Sequence, residues 1–408
     1  MSELNLIERA LPHGTLRGVA APGLDSLVDE FAANFSERGE VGASLCVMRN
    51  GEPLLDIWGG IADAETARPW ERDTVSIVFS NTKPATALCL HLLADRGLVQ
   101  LDELVTKYWP GYGCNGKAGT TLRMLLDHSA GLPALRHPLE DGEAFDWAAM
   151  VARLEAEQPF WEPGARSGYH GLTFGWLVGE VVRRVSGSDL GTFFNDSVAG
   201  PLGLDFWIGL PEEKELQVAP VIPYKAQPGT PRSRFDQAVA TEVGSISGLY
   251  FVNTGGWRPS GFNTRRGRAA QIGAANGITN ARGLAGFYSP LARNGEANGR
   301  QLISPHQIRE FSRVSTATHD DATLRIPTRF AAGFMVRMDN RARGLDSALF
   351  PDGAFGHVGA GGSVGFADPA RRLSFGYTMN RMGAGLLLNE RGQCLIDRLY
   401  EHLDQMHD

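Results

Sequence analysis

Apolar and polar positions alternate with two different periods in the first part of the chain. Apolar residues at helical spacing predict a helix over residues 24–38. An apolar run over 42–48 then ends in the turn pair Asn50-Gly51, and a second apolar segment covers 54–61. Because Asn-Gly favours the tight turn of a hairpin, the sequence predicts a helix followed by two antiparallel strands.

The middle of the chain changes to a mostly helical pattern between about residues 82 and 205, interrupted by loops rich in Pro and Gly. Residues 211–275 are rich in Pro, Gly, Arg and Ser and have weak periodicity, which predicts a long irregular segment that wraps the surface and borders a site. Helical spacing returns over 279–293, where Gly295 is expected to supply a left-handed cap. Ser304-Pro305 has the residue types of an N-cap and first turn of another short helix.

The last third of the chain contains strand patterns at 330–338, 362–368 and 373–379, followed by a closing helix over 388–403. Asp368-Pro369 is expected to turn the last two strands into a hairpin. Strands at both ends with helices between them predict a mixed α/β (α+β) fold, an antiparallel sheet flanked by helices. We expect residues 1–85 and 270–408 to form this α/β domain, and residues 86–269 to form a mainly helical domain that includes the irregular surface segment.

Composition limits the classes of function. The chain has 408 residues, 43% hydrophobic and 21% charged, as an ordinary globular protein has. With 39 Lys and Arg against 46 Asp and Glu and no basic cluster, nucleic acid is not expected as a partner. The start of the chain lacks the features of a signal peptide, and no apolar stretch is long enough to span a bilayer, so we expect no membrane partner and a cytoplasmic location. The oligomeric state stays open, with a homo-oligomer among the alternatives.

Metal and cofactor signals are weak. The four cysteines are scattered without the spacing of a metal site or a disulfide framework. Zincin spacing is also missing among the histidines of the middle region, His128, His137 and His170. The G-x-G-x-x-G pattern at 111–116 follows Trp109-Pro110 rather than a strand, so it predicts a loop and not a dinucleotide site. No metal and no cofactor are therefore expected.

The residues that suggest catalysis begin with Ser80 and Lys83, which follow the apolar run 75–79 and open a helical pattern. Residues three apart on a helix share one face, and the unpaired N–H groups at a helix start favour an oxyanion and disfavour a protonated lysine. A desolvated lysine can be neutral near pH 7 and accept the proton of the serine. The alternative is a solvated Ser and Lys at a helix start. Among the five lysines, however, Lys83 alone has a serine three residues before it.

Three further segments occur in a fixed order after Ser80: Leu-Leu-Asp-His-Ser-Ala-Gly-Leu-Pro at 125–133, Glu-Pro-Gly-Ala-Arg-Ser-Gly-Tyr-His-Gly at 162–171 and Phe-Gly-His-Val-Gly-Ala-Gly-Gly at 355–362. Together they resemble class C β-lactamases, DD-peptidases and, most closely, family VIII carboxylesterases, over roughly residues 24–379. The resemblance implies a β-lactamase-like fold and a serine carboxylesterase that cleaves small or short-chain esters through an acyl-enzyme on Ser80. It also implies that Tyr169 is a catalytic tyrosine beside Lys83, and which of the two is the general base stays open.

The resemblance implies further roles near the site. His357 and Gly359 match the His-x-Gly element of the esterases, on an edge strand, with His357 hydrogen-bonded to the polar network of the site. The N–H groups of Ser80 and Ala360 are expected to form the oxyanion hole. Trp257, in the irregular segment, is expected to line the acyl pocket. A β-lactamase or DD-peptidase-like amide hydrolase, an acyltransferase of the same fold and a catalytically inert binding protein are the alternatives.

Several positions depart from the β-lactamase pattern. The tyrosine motif of β-lactamases ends in an Asn that holds the amide side chain of the substrate, but Gly171 stands there in this chain. His357 replaces the Lys of Lys-Thr-Gly, and both changes favour an ester over a β-lactam. A competing G-x-S-x-G pattern around Ser363 requires a following helix, whereas the sequence after it predicts a strand, so Ser363 is not expected to be the nucleophile.

Overall fold

The computed structural model describes residues 4–226, 229–230, 232–343 and 346–405. Its strands are β1 (Asn5–Ala10), β2 (Thr15–Ala20), β3 (Gly42–Arg49), β4 (Glu52–Asp63), β5 (Arg68–Pro69), β6 (Ser76–Ile77), β7 (Phe206–Ile208), β8 (Gly277–Thr279), β9 (Glu296–Ala297), β10 (Arg300–Gln301), β11 (Thr316–Thr318), β12 (Thr328–Phe330), β13 (Met335–Val336), β14 (Phe355–Val358), β15 (Val364–Asp368) and β16 (Leu373–Met379).

The α-helices lie between and beside these strands. They are α1 (Asp25–Glu37), α2 (Thr82–Asp95), α3 (Leu122–Leu126), α4 (Trp147–Ala156), α5 (Thr173–Ser186), α6 (Leu190–Phe194), α7 (Gly200–Leu202), α8 (Arg234–Thr241), α9 (Ile246–Val252), α10 (Pro259–Phe262), α11 (Arg265–Ala269), α12 (Ala281–Leu291), α13 (Pro305–Ser312) and α14 (Glu390–Gln405). Short 3₁₀ turns cover Val105–Lys107, Pro110–Gly113, Glu143–Phe145, Glu212–Gln217 and Arg341–Arg343, and a π turn covers Asn195–Ala199.

One long antiparallel sheet joins the two ends of the chain, in the order β1-β2-β4-β3-β16-β15-β14-β13-β12-β11. The predicted hairpin between β3 and β4 is confirmed, and Asn50 (φ 56°) and Gly51 (φ 88°) adopt the positive φ angles that such a turn needs. Strand β16 pairs with β3 from Leu373↔Arg49 to Met379↔Ala43. The predicted mixed α/β fold with an antiparallel sheet and flanking helices is therefore confirmed.

The two faces of the sheet carry different partners because side chains alternate along a strand. Leu373, Phe375 and Tyr377 of β16 are buried in one cluster with Leu395 and Leu399 of α14. On the opposite face α12 packs against β3, β15 and β16. A Cβ on Gly376 would lie 2.4 Å from the carbonyl oxygen of Ala281, so the close approach of α12 requires glycine at this position.

Some predicted elements differ from the observed ones. The strand predicted over 330–338 is wrong as a single strand, because Gly333 (φ 89°) makes a tight turn between β12 and β13. A Cβ on Gly333 would lie 2.2 Å from the Cβ of Ala87, so this turn packs directly on α2. The irregular segment 211–275 contains the short helices α8 to α11, which its weak periodicity did not indicate. The predicted left-handed Gly295 (φ 85°) and the Ser304 N-cap are confirmed.

A second, smaller sheet has β8 between β6 and β7, and its strand β6 leads into the turn at 78–81 that carries Ser80. Its three strands come from different parts of the chain. Strands β6 and β8 belong to the two ranges predicted for the α/β domain, and β7 belongs to the range predicted to be mainly helical. The predicted division into two domains stays a prediction. Within the described residues, no helix combines the length and the apolar character needed to cross a membrane.

Candidate active site

Ser80 lies in the turn between β6 and α2. Phe79, just before it, has a φ of 47°, which is unfavourable for a bulky residue and is held in place by its surroundings. The Phe79 ring is buried and packs edge-on against Phe262, with 5.5 Å between centroids. The N–H groups of Asn81 and Thr82 donate to the carbonyls of Val78 (3.1 Å) and Phe79 (2.9 Å). The turn therefore fixes Ser80 at the N-terminal end of α2.

The structure brings together the three side chains that the sequence predicts as catalytic. Lys83 Nζ lies 3.2 Å from Ser80 Oγ, and the Tyr169 hydroxyl donates a 2.7 Å hydrogen bond to the same oxygen. Lys83 is fully buried, and its Nζ lies 4.5 Å from the centroid of the Tyr169 ring. Ser80 Oγ is thus contacted by an amine and a phenol at the same time.

The surroundings of Lys83 favour a neutral amine. Its Nζ donates hydrogen bonds to the carbonyls of Gly171 (2.7 Å) and Ala274 (3.1 Å). Complete burial lowers the pKa of Lys83 well below its ordinary value, because a buried ammonium loses its hydration. A neutral amine has two N–H groups and one lone pair. With both N–H groups bound to carbonyls, the lone pair is left for the hydroxyl of Ser80.

The surroundings of Tyr169 favour the protonated, neutral phenol. Burial raises the pKa of Tyr169 well above its ordinary value, and the nearby phenol of Tyr250 adds to the effect. Tyr169 therefore keeps its proton at neutral pH and acts as a hydrogen-bond donor to Ser80.

Two buried histidines hold the loop that carries Tyr169. The carbonyl of His128 accepts the N–H of Gly168, and His128 Nδ1 accepts the N–H of His170, both at 3.1 Å. His170 Nδ1 lies 2.7 Å from the carbonyl of Gly168, and its Nε2 accepts the N–H of Leu132 at 2.9 Å. Burial lowers the pKa of His170 to about 3, so its ring is neutral. These rings fix the backbone on both sides of Tyr169.

His357 lies on β14 and is almost completely buried. Its Nδ1 lies 2.7 Å from the carbonyl of Val358, so Nδ1 carries the proton and Nε2 has a lone pair with no hydrogen-bond partner among the described residues. Burial, with a smaller effect of Lys83, lowers the pKa of His357 to about 3. The ring centroids of His357 and Tyr169 are 6.2 Å apart. His357 is therefore a neutral hydrogen-bond acceptor near Tyr169.

The expectation that His357 lies on an edge strand is wrong, because its strand β14 has a neighbouring strand on each side. Strand β13 pairs with β14 at Phe355 and Gly356, and β15 pairs with β14 on the other side. Because β13 is only two residues long, its pairing does not extend to His357 and Val358.

The segment after β14 packs directly against the turn that carries Ser80. A Cβ on Gly359 would lie 2.2 Å from the carbonyl oxygen of Val78, so only glycine allows this contact. The N–H of Gly359 donates to the carbonyl of Ser363 at 2.7 Å. Within the described part of the chain, the N–H groups of Ser80 and Ala360 donate to no protein acceptor. These two donors are available to a ligand, whereas that of Gly359 is engaged.

Ser363 connects the segment after β14 to the turn that carries Ser80. Its buried hydroxyl donates to the carbonyl of Val78 and accepts from Asn81 Nδ2, both at 3.1 Å. Strand β15 begins at Val364, so the strand predicted after Ser363 is confirmed. Both hydrogen-bonding capacities of this hydroxyl are used in holding the fold together.

Trp257 is linked to the turn that carries Ser80 through the ring of Phe262. It is buried and packs on Phe262 with 5.4 Å between ring centroids, and Phe262 packs on Phe79. The indole thus lies one aromatic ring away from the residue that precedes Ser80.

Sequence reasoning did not identify two residues beside the site. The buried carboxylate of Asp321 accepts the N–H of Tyr169 although 152 residues separate them in the chain. Asp321 also accepts the N–H of Thr323 at 2.9 Å, a local pattern that the sequence could have indicated without relating it to Tyr169. Tyr250, on α9, lies over Gly171. No periodic signal distinguishes it within the irregular segment.

The described residues contain no group of three His, Cys, Asp or Glu side chains that could hold a metal ion. The four cysteines are free thiols: Cys46 and Cys89 are buried, Cys394 is half-buried and Cys114 is exposed. The G-x-G-x-x-G pattern forms a 3₁₀ turn over Pro110–Gly113 and the loop after it.

Comparisons with known proteins identify the family of this chain. The family model described as "Beta-lactamase" matches residues 24–392. The Esterase/beta-lactamase LipL of Mycobacterium tuberculosis is 34% identical over 383 residues, which cover 91% of this chain and 85% of that protein. Two solved structures each superpose with a TM-score of 0.84 over 95% of this chain and 99% of theirs: a family VIII carboxylesterase (36% identity) and a penicillin-binding protein homologue from Caulobacter crescentus (33% identity). The chain therefore belongs to the beta-lactamase family.

Proposed function

We propose that this protein is a serine carboxylesterase that hydrolyses small or short-chain esters through an acyl-enzyme on Ser80. The observation that carries the proposal is the hydrogen-bond arrangement of Lys83. The carbonyls of Gly171 and Ala274 bind both N–H groups of the neutral amine, and Nζ, which keeps one lone pair to accept a proton, lies 3.2 Å from Ser80 Oγ. A serine hydroxyl needs such a base before it can attack a carbonyl.

The opposite pKa shifts of Lys83 and Tyr169 support one order of proton transfers. The lowered pKa of Lys83 favours a neutral amine and the raised pKa of Tyr169 favours a protonated phenol, so Lys83 accepts the proton of Ser80 as Oγ bonds to the carbonyl carbon of the ester. The bond between that carbon and the alkoxy oxygen then breaks. Tyr169 gives its proton to the leaving alkoxide and regains one from the Lys83 ammonium, which leaves a neutral alcohol and an acyl-enzyme.

The developing oxyanion needs donors that are not already engaged. The N–H groups of Ser80 and Ala360 meet this condition, and α2 begins two residues after Ser80 with its positive dipole end. Water then attacks the acyl-enzyme, its proton passes through the same groups to Ser80 Oγ, and the carboxylic acid is released.

Two features favour an ester over a β-lactam. Gly171 offers no side chain to hold an amide, and His357 presents an uncharged acceptor that cannot neutralise a substrate carboxylate. One relative carries both an esterase and a beta-lactamase name, and one structural neighbour is a penicillin-binding protein homologue. Hydrolysis of an amide or a β-lactam, or acyl transfer to another acceptor, is therefore the second candidate.

A panel of p-nitrophenyl esters from acetate to dodecanoate, together with nitrocefin, tests the proposal. We expect kcat/KM to be highest for the shortest acyl chains and nitrocefin turnover to be lower by about 100-fold or more. The Ser80→Ala variant controls for spontaneous and contaminant hydrolysis. Nitrocefin turnover equal to that of the best ester would favour the second candidate, and no ester turnover above the Ser80→Ala background would contradict the proposal.

A further inference from the structure

A second tyrosine covers the backbone beside the catalytic centre. Tyr250 lies on α9, and its phenol packs over Gly171 so closely that a Cβ on Gly171 would lie 2.0 Å from Tyr250 Cε2 and 2.6 Å from Tyr250 Oη. Gly171 does not have a positive φ, so its backbone conformation does not require glycine. The space taken by the Tyr250 ring is what excludes a side chain at position 171.

The covered backbone is part of the proposed catalytic machinery. The carbonyl of Gly171 accepts a hydrogen bond from Lys83, and Gly171 follows Tyr169 by two residues. Any group of a substrate that approaches Gly171 from this side therefore meets the Tyr250 ring first.

Hydrogen bonds at both ends of α9 hold the helix, and with it Tyr250, in place beside Gly171. Near its start, Ser247 Oγ donates to the carbonyl of Thr323 at 2.7 Å. After its last turn, Asn253 Nδ2 donates to the carbonyls of Leu135 (2.9 Å) and His137 (2.8 Å). These contacts attach α9 to the two segments that flank the Tyr169 loop.

A small apolar cavity lies behind Tyr250. Its volume is about 20 Å³, and it is lined by Tyr250 together with Pro133, Leu135, Leu172 and Trp176. A cavity of this size holds no more than a water molecule. Tyr250 both lines this cavity and covers Gly171, so loss of its side chain would open an apolar space beside Gly171.

We propose that Tyr250 is a specificity-determining residue whose ring sets the upper size limit of the substrate group seated beside Gly171. The inference rests on the proposed esterase function. It assigns the size limit to one side chain, which lies outside the motifs at 80–83, 125–133, 162–171 and 355–362.

The test compares kcat/KM for p-nitrophenyl octanoate with that for p-nitrophenyl acetate in four proteins: wild type, Tyr250→Ala, Tyr250→Phe and Phe251→Ala. We expect the octanoate-to-acetate ratio to rise about tenfold or more in Tyr250→Ala. Tyr250→Phe keeps the ring and should leave the ratio within about twofold of wild type. Phe251 is the exposed neighbour on the same helix, so Phe251→Ala should also leave it unchanged.

A reciprocal variant tests the packing itself. Gly171→Ala should lower kcat/KM for acetate by about tenfold or more, because the new methyl group displaces the ring or the carbonyl that binds Lys83. The double variant Gly171→Ala/Tyr250→Ala should recover much of that loss. An unchanged ratio in Tyr250→Ala, or no recovery in the double variant, overturns the inference while an active wild type leaves the esterase function intact. A wild type without ester turnover overturns both.

Discussion

The backbone N–H of Tyr169 donates to both carboxylate oxygens of Asp321, at 3.0 and 3.1 Å. The same carboxylate accepts the N–H groups of Thr323 and Leu324, both at 2.9 Å, and the hydroxyl of Thr328 at 3.1 Å. Burial raises the pKa of Asp321 from its ordinary value, and these hydrogen bonds oppose the rise because they favour the ionised carboxylate. Asp321 therefore fixes the backbone of the loop that carries Tyr169 and makes no contact with the Tyr169 hydroxyl.

Replacement of Asp321 by Asn should damage both stability and activity. An amide has a single acceptor oxygen and turns an N–H₂ group toward donors, which should lower the free energy of unfolding by about 2–4 kcal/mol. Displacement of Tyr169 should lower kcat/KM by about 100-fold. Urea unfolding and ester kinetics measure the two effects. Asp320→Asn is the matched control, since this partly exposed neighbour pairs with Arg234 at the surface. Equal kinetics in the two variants would contradict the role of Asp321.

The pH dependence of activity should follow Lys83. Since the neutral amine is the active form and burial lowers its pKa, activity should be present above the folded-state pKa of Lys83 and be lost as pH falls through it. Lys83→Met should lose most ester turnover, because among the described residues the side chains hydrogen-bonded to Ser80 Oγ are Lys83 and the protonated phenol of Tyr169. A profile of kcat/KM between pH 4 and 10 measures the acid limb.

The matched control for Lys83 is Lys117→Met. Lys117 is also buried and donates to backbone carbonyls, those of Glu155 and Glu157, in another part of the helical region. This substitution should cost stability and leave the shape of the pH profile unchanged. An acid limb that survives in Lys83→Met, or disappears in Lys117→Met, would contradict the assignment.

Removal of the Tyr169 hydroxyl should slow the reaction without unfolding the protein. Tyr169→Phe loses the donor to Ser80 and the proton for the leaving alcohol, so kcat should fall by about 10²–10⁴-fold. Tyr112→Phe is the comparison variant, because Tyr112 is a buried tyrosine that donates to Thr120 at 3.3 Å. Stopped-flow measurement of nitrophenol release gives the acylation rate, and equal rates in the two variants would argue against a catalytic phenol.

Buried neutral histidines should make the protein sensitive to acid. Burial lowers the pKa of His170 and of His357 to about 3, and that of His128 well below its ordinary value. Between the unfolded pKa of about 6.5 and the folded pKa, the unfolded chain binds more protons, so stability is lost as pH falls. Each histidine contributes up to about 1.4 kcal/mol per pH unit to this slope.

Urea unfolding at pH 7, 6 and 5 measures that slope. His170→Gln should make the slope of the unfolding free energy against pH smaller, because it removes one histidine that is buried as a neutral ring. A slope that is identical in wild type and in His170→Gln would show that His170 is not buried as a neutral ring.

Much of the scaffold could be predicted from the sequence because its signals are local. The Asn50-Gly51 turn and the strand before it follow from residue type and period, and so does the Ser304 N-cap. The turn at Gly333 could not be predicted, because it depends on packing against Ala87 far away in the chain. The helices of the irregular segment are short and depend on tertiary contacts such as that between Ser247 and Thr323.

Some residues of the candidate site could also be predicted from the sequence, and others could not. The three-residue spacing across the start of α2 relates Lys83 to Ser80, and the resemblance to a known family supplied Tyr169 and His357. Asp321 and Tyr250 act through contacts between distant parts of the chain, and their own sequence surroundings carry no catalytic pattern. Nor could the sequence choose between Lys83 and Tyr169 as the base, since that choice depends on burial and on the two carbonyls that bind the amine.

The identity of the nucleophile is tested most directly by mass spectrometry after reaction with a fluorophosphonate. Peptide mapping should find the adduct on Ser80 in the wild type and in Ser363→Ala, and no adduct in Ser80→Ala. Ser80→Ala should also lose ester turnover. An adduct on Ser363, or turnover that persists in Ser80→Ala and vanishes in Ser363→Ala, would contradict the account.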